Sequence, residues 1–472
     1  MTNPLFNSKL SVINVGLQMF ADDLAAQGAD VAHLQWTPPG GGKPEVIAAL
    51  EKLAQPQAAA KIEAANAEVV KRITEAKPML VGYAKALDVV PGMTPTTILH
   101  AGPPVAWEDM SGPMKGAVTG AIVFEGLAKD LAEAAEVATS GKITFSPCHE
   151  HSCVGSMAGV TSASMYMHVV KNETHGNYAY TNLSEQLAKI LRMGANDQSV
   201  IDRLVWMRDV FGPMLAEAVE LTGPIDLRLL LSQAIHMGDE AHNRNGAGTL
   251  LLFQALASGL LQSSFNTEAK KEVFDFIASS DYFSGPTWMA TAKASLDAAL
   301  DVKGSTILIT MARNGVEHGL RVAGQPADRW FTGPAQQVIG PMFAGYKPED
   351  SGLDIGDSAI TETYGFGGFA MAAAPAIVSL VGGTVEDATA YSLEMLEITT
   401  TTNPNVTIPA LGFLGLPTGI DVRKVVETGI LPLINTAIAH KEPGIGMIGA
   451  GITHPPMEAF EKAIVALAEE LG

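Results

Sequence analysis

The chain has only two cysteines in 472 residues, Cys148 and Cys153. That is too few for a disulfide framework, and so close a pair reads as reduced thiols of a cytosolic protein. Basic residues are also scarce: 30 Lys and Arg stand against 50 Asp and Glu, for a formal charge of −20. Nucleic acid and anionic membrane are thereby excluded as partners, since both need a basic surface. A small anionic substrate is not excluded, because it needs only a local cluster of donors. The longest apolar stretch, residues 370–381, is too short and too rich in alanine to span a bilayer. It is expected to be a buried helix. The first ten residues lack the apolar segment of a secretory signal, so the expectation is a cytoplasmic protein. There is no internal repeat and no low-complexity tail.

What is present is globular. Hydrophobic residues make up 47% and charged residues 17%, and the length suggests about two to four domains. Residues 10–15 (LSVINV), 20–27 (FADDLAAQ) and 31–36 (VAHLQW) read as strand, helix and strand, punctuated by Gly16 and Gly28. That pattern predicts a Rossmann-like parallel sheet in residues 1–145. The spaced glycines of a dinucleotide fingerprint are missing, so no nucleotide is assigned. Residues 45–76 predict a long helix, and residues 183–193 a further one. Residues 200–301 predict a helix-rich module. Residues 146–199 and 302–472 predict further α/β units carrying glycine-rich loops. The fold class is therefore multidomain α/β.

The densest chemistry lies in residues 145–160 (FSPCHEHSCVGSMAGV). Cys148, His149, Glu150, His151 and Cys153 could hold zinc by composition. Neighbouring residues diverge, however: in an extended segment His149 and His151 share one side while Cys148 and Glu150 take the other. Bound metal is therefore not expected, and the segment is predicted to form a pocket wall. A nucleophilic cysteine and two inert buried thiols remain the alternatives.

Four other constellations stand out. In residues 236–248 (HMGDEAHNRNGAG), helical spacing would put His236, Glu240 and Asn243 on one face. A carboxylate beside His242 would support proton transfer. Arg244, with Asn243 and Asn245, could bind a carboxylate or phosphate. In residues 311–321 (MARNGVEHGLR), Arg313, Asn314, His318 and Arg321 surround a glycine turn, which fits either anion binding or ordinary ion pairs. In residues 354–368, the backbone N–H groups of Gly365, Gly367 and Gly368 could form an anion site or oxyanion hole, with the Thr361 hydroxyl beside them. Near the C-terminus His440, next to Lys441 and Glu442, is a candidate proton-transfer group or a solvated loop. Residues 145–160, 236–248 and 354–368 are expected to meet in one site.

With these stretches in hand, the chain resembles, over nearly its whole length, the large subunit of the oxamate carbamoyltransferase type (YlbE-like, also called AllG-like). The resemblance is carried by NVGLQMFADDLAAQGADVAHLQWTPPGGG, LHAGPPVAWEDMSGPMKGA, FSPCHEHSCVGSMAGV, HMGDEAHNRN, GDSAITETYGFGGFAMAAAP and PTGIDVRKVVETGILPLINTAIAHKEPGIGMIGAG. It implies a role in allantoin and purine nitrogen use, with oxalurate and phosphate giving oxamate and carbamoyl phosphate. It also implies FdrA-type partner subunits, and a homo-oligomer is expected. Ordinary carbamoyltransferases carry a Ser-Thr-Arg-Thr phosphate loop and a His-Pro-x-Gln motif. Neither is present, since His454-Pro455-Pro456-Met457 lacks the glutamine, so the site must be built differently. A non-catalytic scaffold subunit and a metal-dependent amide hydrolase remain the alternatives.

Overall fold

The structure is a computed structural model that describes residues 10–34, 38–186 and 189–471. It is a mixed α/β chain of several packed units, as the sequence predicts. Near the N-terminus the strands Ser11–Val15 and Asp30–Leu34 pair in parallel across the helix Gln18–Ala26. Among the described residues this sheet has two strands. The end of the predicted second strand, residues 35 and 36, lies outside the described residues. A second parallel pair joins Thr97–His100 to Thr144–Pro147, and it delivers the chain to the Cys148–His151 turn.

The larger sheets are mixed or antiparallel. Five strands follow the order Cys153–Val154, Tyr178–Asn182, Tyr166–Asn172, Pro78–Lys85, Ile225–Asp226. Four more follow the order Phe331–Pro334, Glu317–Val322, Leu308–Asn314, Ile355–Gly356. The predicted pairing across the turn Asn314-Gly315 is present, with Arg313 opposite His318. The helix Gly285–Leu296 is buried at every position; its hydroxyls Thr291 and Ser295 are satisfied by carbonyls one turn back, and Lys293 by Asp297. It packs against the strands Tyr166–Asn172 and Tyr178–Asn182 and the short helix Ile360–Tyr364. The largest apolar core draws on Leu80, Val118, Met157, Phe211 and Leu256, so it runs through all three predicted sequence intervals.

Four predicted helices are corrected. The stretch 45–76 is two helices, Pro44–Leu53 and Pro56–Glu75, because Pro56 has no N–H to continue the first and is suited to open the second. The apolar stretch 369–381 is buried throughout only over residues 369–372, with Ala376 and Ser379 exposed, and it forms short turns and only the brief helix Val378–Val381. Pro375 interrupts it. Residues 183–193 yield only the turn Leu191–Met193 among the described residues. There the Glu185 carboxylate accepts the Leu191 N–H at 2.8 Å and takes over the bonding a helix would supply. Finally, the helix Leu227–His236 ends before the predicted polar face begins. Residues 239–245 are a loop with Ala241 at φ 66°, so His236, Glu240 and Asn243 share no helix face.

Candidate active site

The loop 239–245 is organised by one buried carboxylate. Glu240 accepts the backbone N–H groups of His242 at 3.0 Å, Asn243 at 2.6 Å and Arg244 at 2.6 Å. Burial is the main cause that raises its pKa from 4.5 to about 7, against the opposing pull of His242. The nest fixes the His242 backbone. The ring is fixed by the next segment: Nδ1 lies 2.7 Å from Glu362 Oε1 and 3.1 Å from Thr361 Oγ1. Thr361 Oγ1 also donates to Glu362 Oε2 at 2.8 Å. With Nδ1 engaged by the Glu362 carboxylate and the Thr361 hydroxyl, Nε2 is the ring nitrogen left over. Nε2 makes no hydrogen bond among the described residues.

His242 lines a partly open cavity of about 140 Å³. Ser156, Arg192, Asn243, Ser358 and Thr436 supply its other polar atoms of interest. Arg192 is 1% exposed. Its Nε donates to Glu185 Oε1 at 2.9 Å and its Nη1 to Ser156 Oγ. A base held by a carboxylate, a buried guanidinium and hydroxyls around a small void can bind an anion and move a proton.

The three segments expected to meet do meet, and Asp357 ties two of them together. Its carboxylate accepts the Gly155 N–H at 3.0 Å and the Gly102 N–H at 2.8 Å. Its own N–H donates to the Gly155 carbonyl at 3.0 Å. Burial raises its pKa from 3.8 to about 7, although these N–H donors oppose the rise. Gly102 sits at φ 78°, and a Cβ there would collide with the Arg313 backbone, so only glycine permits this approach.

The cluster 148–153 has a different role from the one predicted. His149 is buried, 3.5 Å from Asp357 Oδ1, and neither ring nitrogen is hydrogen-bonded. Its pKa is pushed down by burial first, then by Lys293 and Arg321. Both of those cations donate to the His149 carbonyl, at 3.3 and 3.1 Å. Glu150 accepts from Trp330 Nε1 at 3.0 Å. His151 bridges the Pro91 carbonyl and the Ser146 hydroxyl. Cys148 donates to the Gly159 carbonyl, and burial raises its pKa well above the ordinary thiol value. Cys148 and His149 both lie against Asp357, and Cys148 also against Cys153, while Glu150 and His151 turn to other partners; burial disfavours the Cys148 thiolate. Only Ser156 and Met157 of this segment reach the cavity wall.

Other predicted residues are braces. Arg313 is buried and pairs both carboxylate oxygens of Asp354, at 2.7 and 2.8 Å, and donates to the Gly356 carbonyl and Thr436. With the fifth N–H directed at Ser358 Oγ at 3.5 Å, it has no donor left for a ligand. Asn314 caps its own turn through the N–H groups of Val316 and Glu317 and holds the Pro103 carbonyl. The glycine loop is no oxyanion hole: Gly365 N–H donates to Thr361 O, Gly367 N–H to Glu240 O, and Gly368 N–H to Glu362 Oε1. Arg244 turns outward, with Nε on the Gly238 carbonyl. Asn245 holds the His242 carbonyl at 2.7 Å. His440 accepts from the Glu442 N–H at 3.0 Å and stands edge-on to Tyr346; it is not on the cavity wall.

Arg192, Glu185, Ser156 and Ser358 were not predicted as site residues. Arg192 lies in a stretch that reads as an ordinary helix, and its partners are distant in sequence. The signal that could have found it is the Glu185–Arg192 charge pair seven residues apart in a largely apolar stretch.

Among the described residues no helix is long and apolar enough to cross a membrane. A family model described as oxamate carbamoyltransferase subunit AllG matches residues 143–358. The chain is 67% identical over 472 residues to the uncharacterized protein YahG of Escherichia coli (strain K12), covering all of both chains. It is 46% identical over 411 residues to the oxamate carbamoyltransferase subunit AllG of the same organism, covering 86% of this chain and 98% of that one. The crystal structure of a conserved protein of unknown function from Enterococcus faecalis V583 matches with a TM-score of 0.86 at 68% identity, over 87% of this chain and 99% of that one. The His242 cavity is thus carried by a chain that belongs to the family of the oxamate carbamoyltransferase subunit AllG.

Proposed function

We propose that this chain is the subunit of an oxamate carbamoyltransferase that holds the small anionic substrate, in an assembly with FdrA-type subunits serving allantoin nitrogen use. The observation that carries this reading is the small cavity with His242 oriented by Glu362 on its wall. In the reaction an oxygen of hydrogen phosphate bonds to the carbamoyl carbon of oxalurate. The bond from that carbon to the oxamate nitrogen breaks, and the phosphate proton ends on that nitrogen. Carbamoyl phosphate and oxamate are the products. His242 Nε2 is placed to move that proton, with Glu362 stabilising the imidazolium formed on the way.

The test is carbamoyl transfer by the assembled complex carrying His242→Asn or Glu362→Gln. A positioned proton-transfer group is worth about 10²–10⁴-fold, so the first variant should lose turnover on that scale and the second should lose part of it. Turnover near wild type in both would refute the site.

A further inference from the structure

Arg192 is the one cation among the described residues of the cavity wall. Its Nη2 has no hydrogen-bond partner although the side chain is buried. Asn243, on the same wall, leaves Nδ2 unpaired as well. Both unpaired groups are donors. Unpaired buried donors are costly unless something else meets them, so the wall calls for a ligand that presents acceptors. The charge of that ligand follows from what is already paired. Glu185 balances Arg192, and Glu362 faces His242. No second cation is present on the wall to neutralise a dianion. A singly charged acceptor meets the one guanidinium of the wall, whereas a phosphate dianion finds no second one there. Size narrows the class further, since about 140 Å³ is well below the roughly 300–1,000 Å³ of sites for drug-sized ligands.

We propose that Arg192 is the specificity-determining residue of this cavity: with Asn243 it receives the carboxylate of a small amido-carboxylate and leaves the amide end to His242. This rests on the function proposed above. It adds that the phosphate dianion must be met by cations other than those of this wall. The guanidinium is held for the task by Glu185 on Nε and by Ser156, itself on the cavity wall, on Nη1. The turn that carries it is locked by the Glu185 bond to Leu191 N–H and by the Ala158 N–H on the Arg192 carbonyl.

Calorimetry on the full chain, alone and in its assembly, tests this with three probes: oxamate, the neutral isostere oxamide, and inorganic phosphate. Oxamate should bind at least ten-fold tighter than oxamide or phosphate. Arg192→Met should weaken oxamate about 10–100-fold and leave oxamide unchanged, with Arg192→Lys between. If the single variant does not fold, Arg192→Met combined with Glu185→Gln removes the unpaired carboxylate and carries the same comparison. Equal oxamate affinity in wild type and the Arg192 variants overturns the role of Arg192 and leaves the His242 site standing. Phosphate binding tighter than oxamate overturns the monocarboxylate class. No binding of oxamate to wild type in either form overturns this proposal and the proposed function together.

Discussion

Gly367 is the position where a single methyl group probes the site most sharply. Its φ is 65°, a conformation that costs an L-residue about 1–2 kcal/mol. A Cβ there would overlap Glu362 Oε1 and lie 3.1 Å from the His242 Cβ. Glu362 cannot swing away, because it is fully buried and bonded to His242, Thr361 and Gly368. Overpacking of this kind adds about 1–3 kcal/mol, so Gly367→Ala should cost about 2–5 kcal/mol in all. Gly126 provides the control. Its φ is 71° and nothing lies within 4 Å of its Cβ position, so Gly126→Ala should cost only the backbone share. Urea unfolding midpoints and turnover in the assembled complex, measured on both variants, make the comparison. If Gly367→Ala is no less stable than Gly126→Ala, or keeps full turnover, the packing of the dyad described above is wrong.

Three further outcomes are expected. Arg313→Met leaves Asp354 as an unpaired buried charge, so it should destabilise by about 3–5 kcal/mol, while a thermally intact fraction keeps its oxamate affinity in calorimetry. His151→Ala removes a strut between the Pro91 carbonyl and Ser146; it should cost about 1–3 kcal/mol and leave turnover close to wild type, unlike His242→Asn. Asp357 has a folded-state pKa of about 7 against an ordinary 3.8, so the folded state favours its neutral form. Its contribution to stability is complete below the ordinary value and is lost as pH rises through about 7, by roughly 4 kcal/mol at most at about 1.4 kcal/mol per unit. Asp357→Asn should therefore show a flatter fall in stability between about pH 4 and 7 in urea titrations; an unchanged slope would contradict the assignment.

Much of the site was legible because its residues sit in polar runs that have little other use. The segments around His149, His242 and Thr361 come together, and the carboxylate beside an imidazole is present. The carboxylate, however, is Glu362 across the fold and not Glu240 by helical spacing. Spacing failed there because a buried Glu240 outcompetes the helix by accepting three N–H groups at once. The glycine N–H groups and Arg313 were misjudged for a related reason. A sequence shows donors but not the buried acceptors that consume them, here Glu362, the Glu240 carbonyl and Asp354. Arg192 was hidden because its meaning depends on what remains unpaired, which no local pattern records.

The central claim is that the cavity beside His242 and Arg192 holds the small anion. A crystal structure of the chain with oxamate tests this most directly. The account predicts oxamate in that cavity, its carboxylate on Arg192 Nη2 and Asn243 Nδ2, and its amide beside His242 Nε2. Ordered oxamate elsewhere with this cavity unfilled would contradict it.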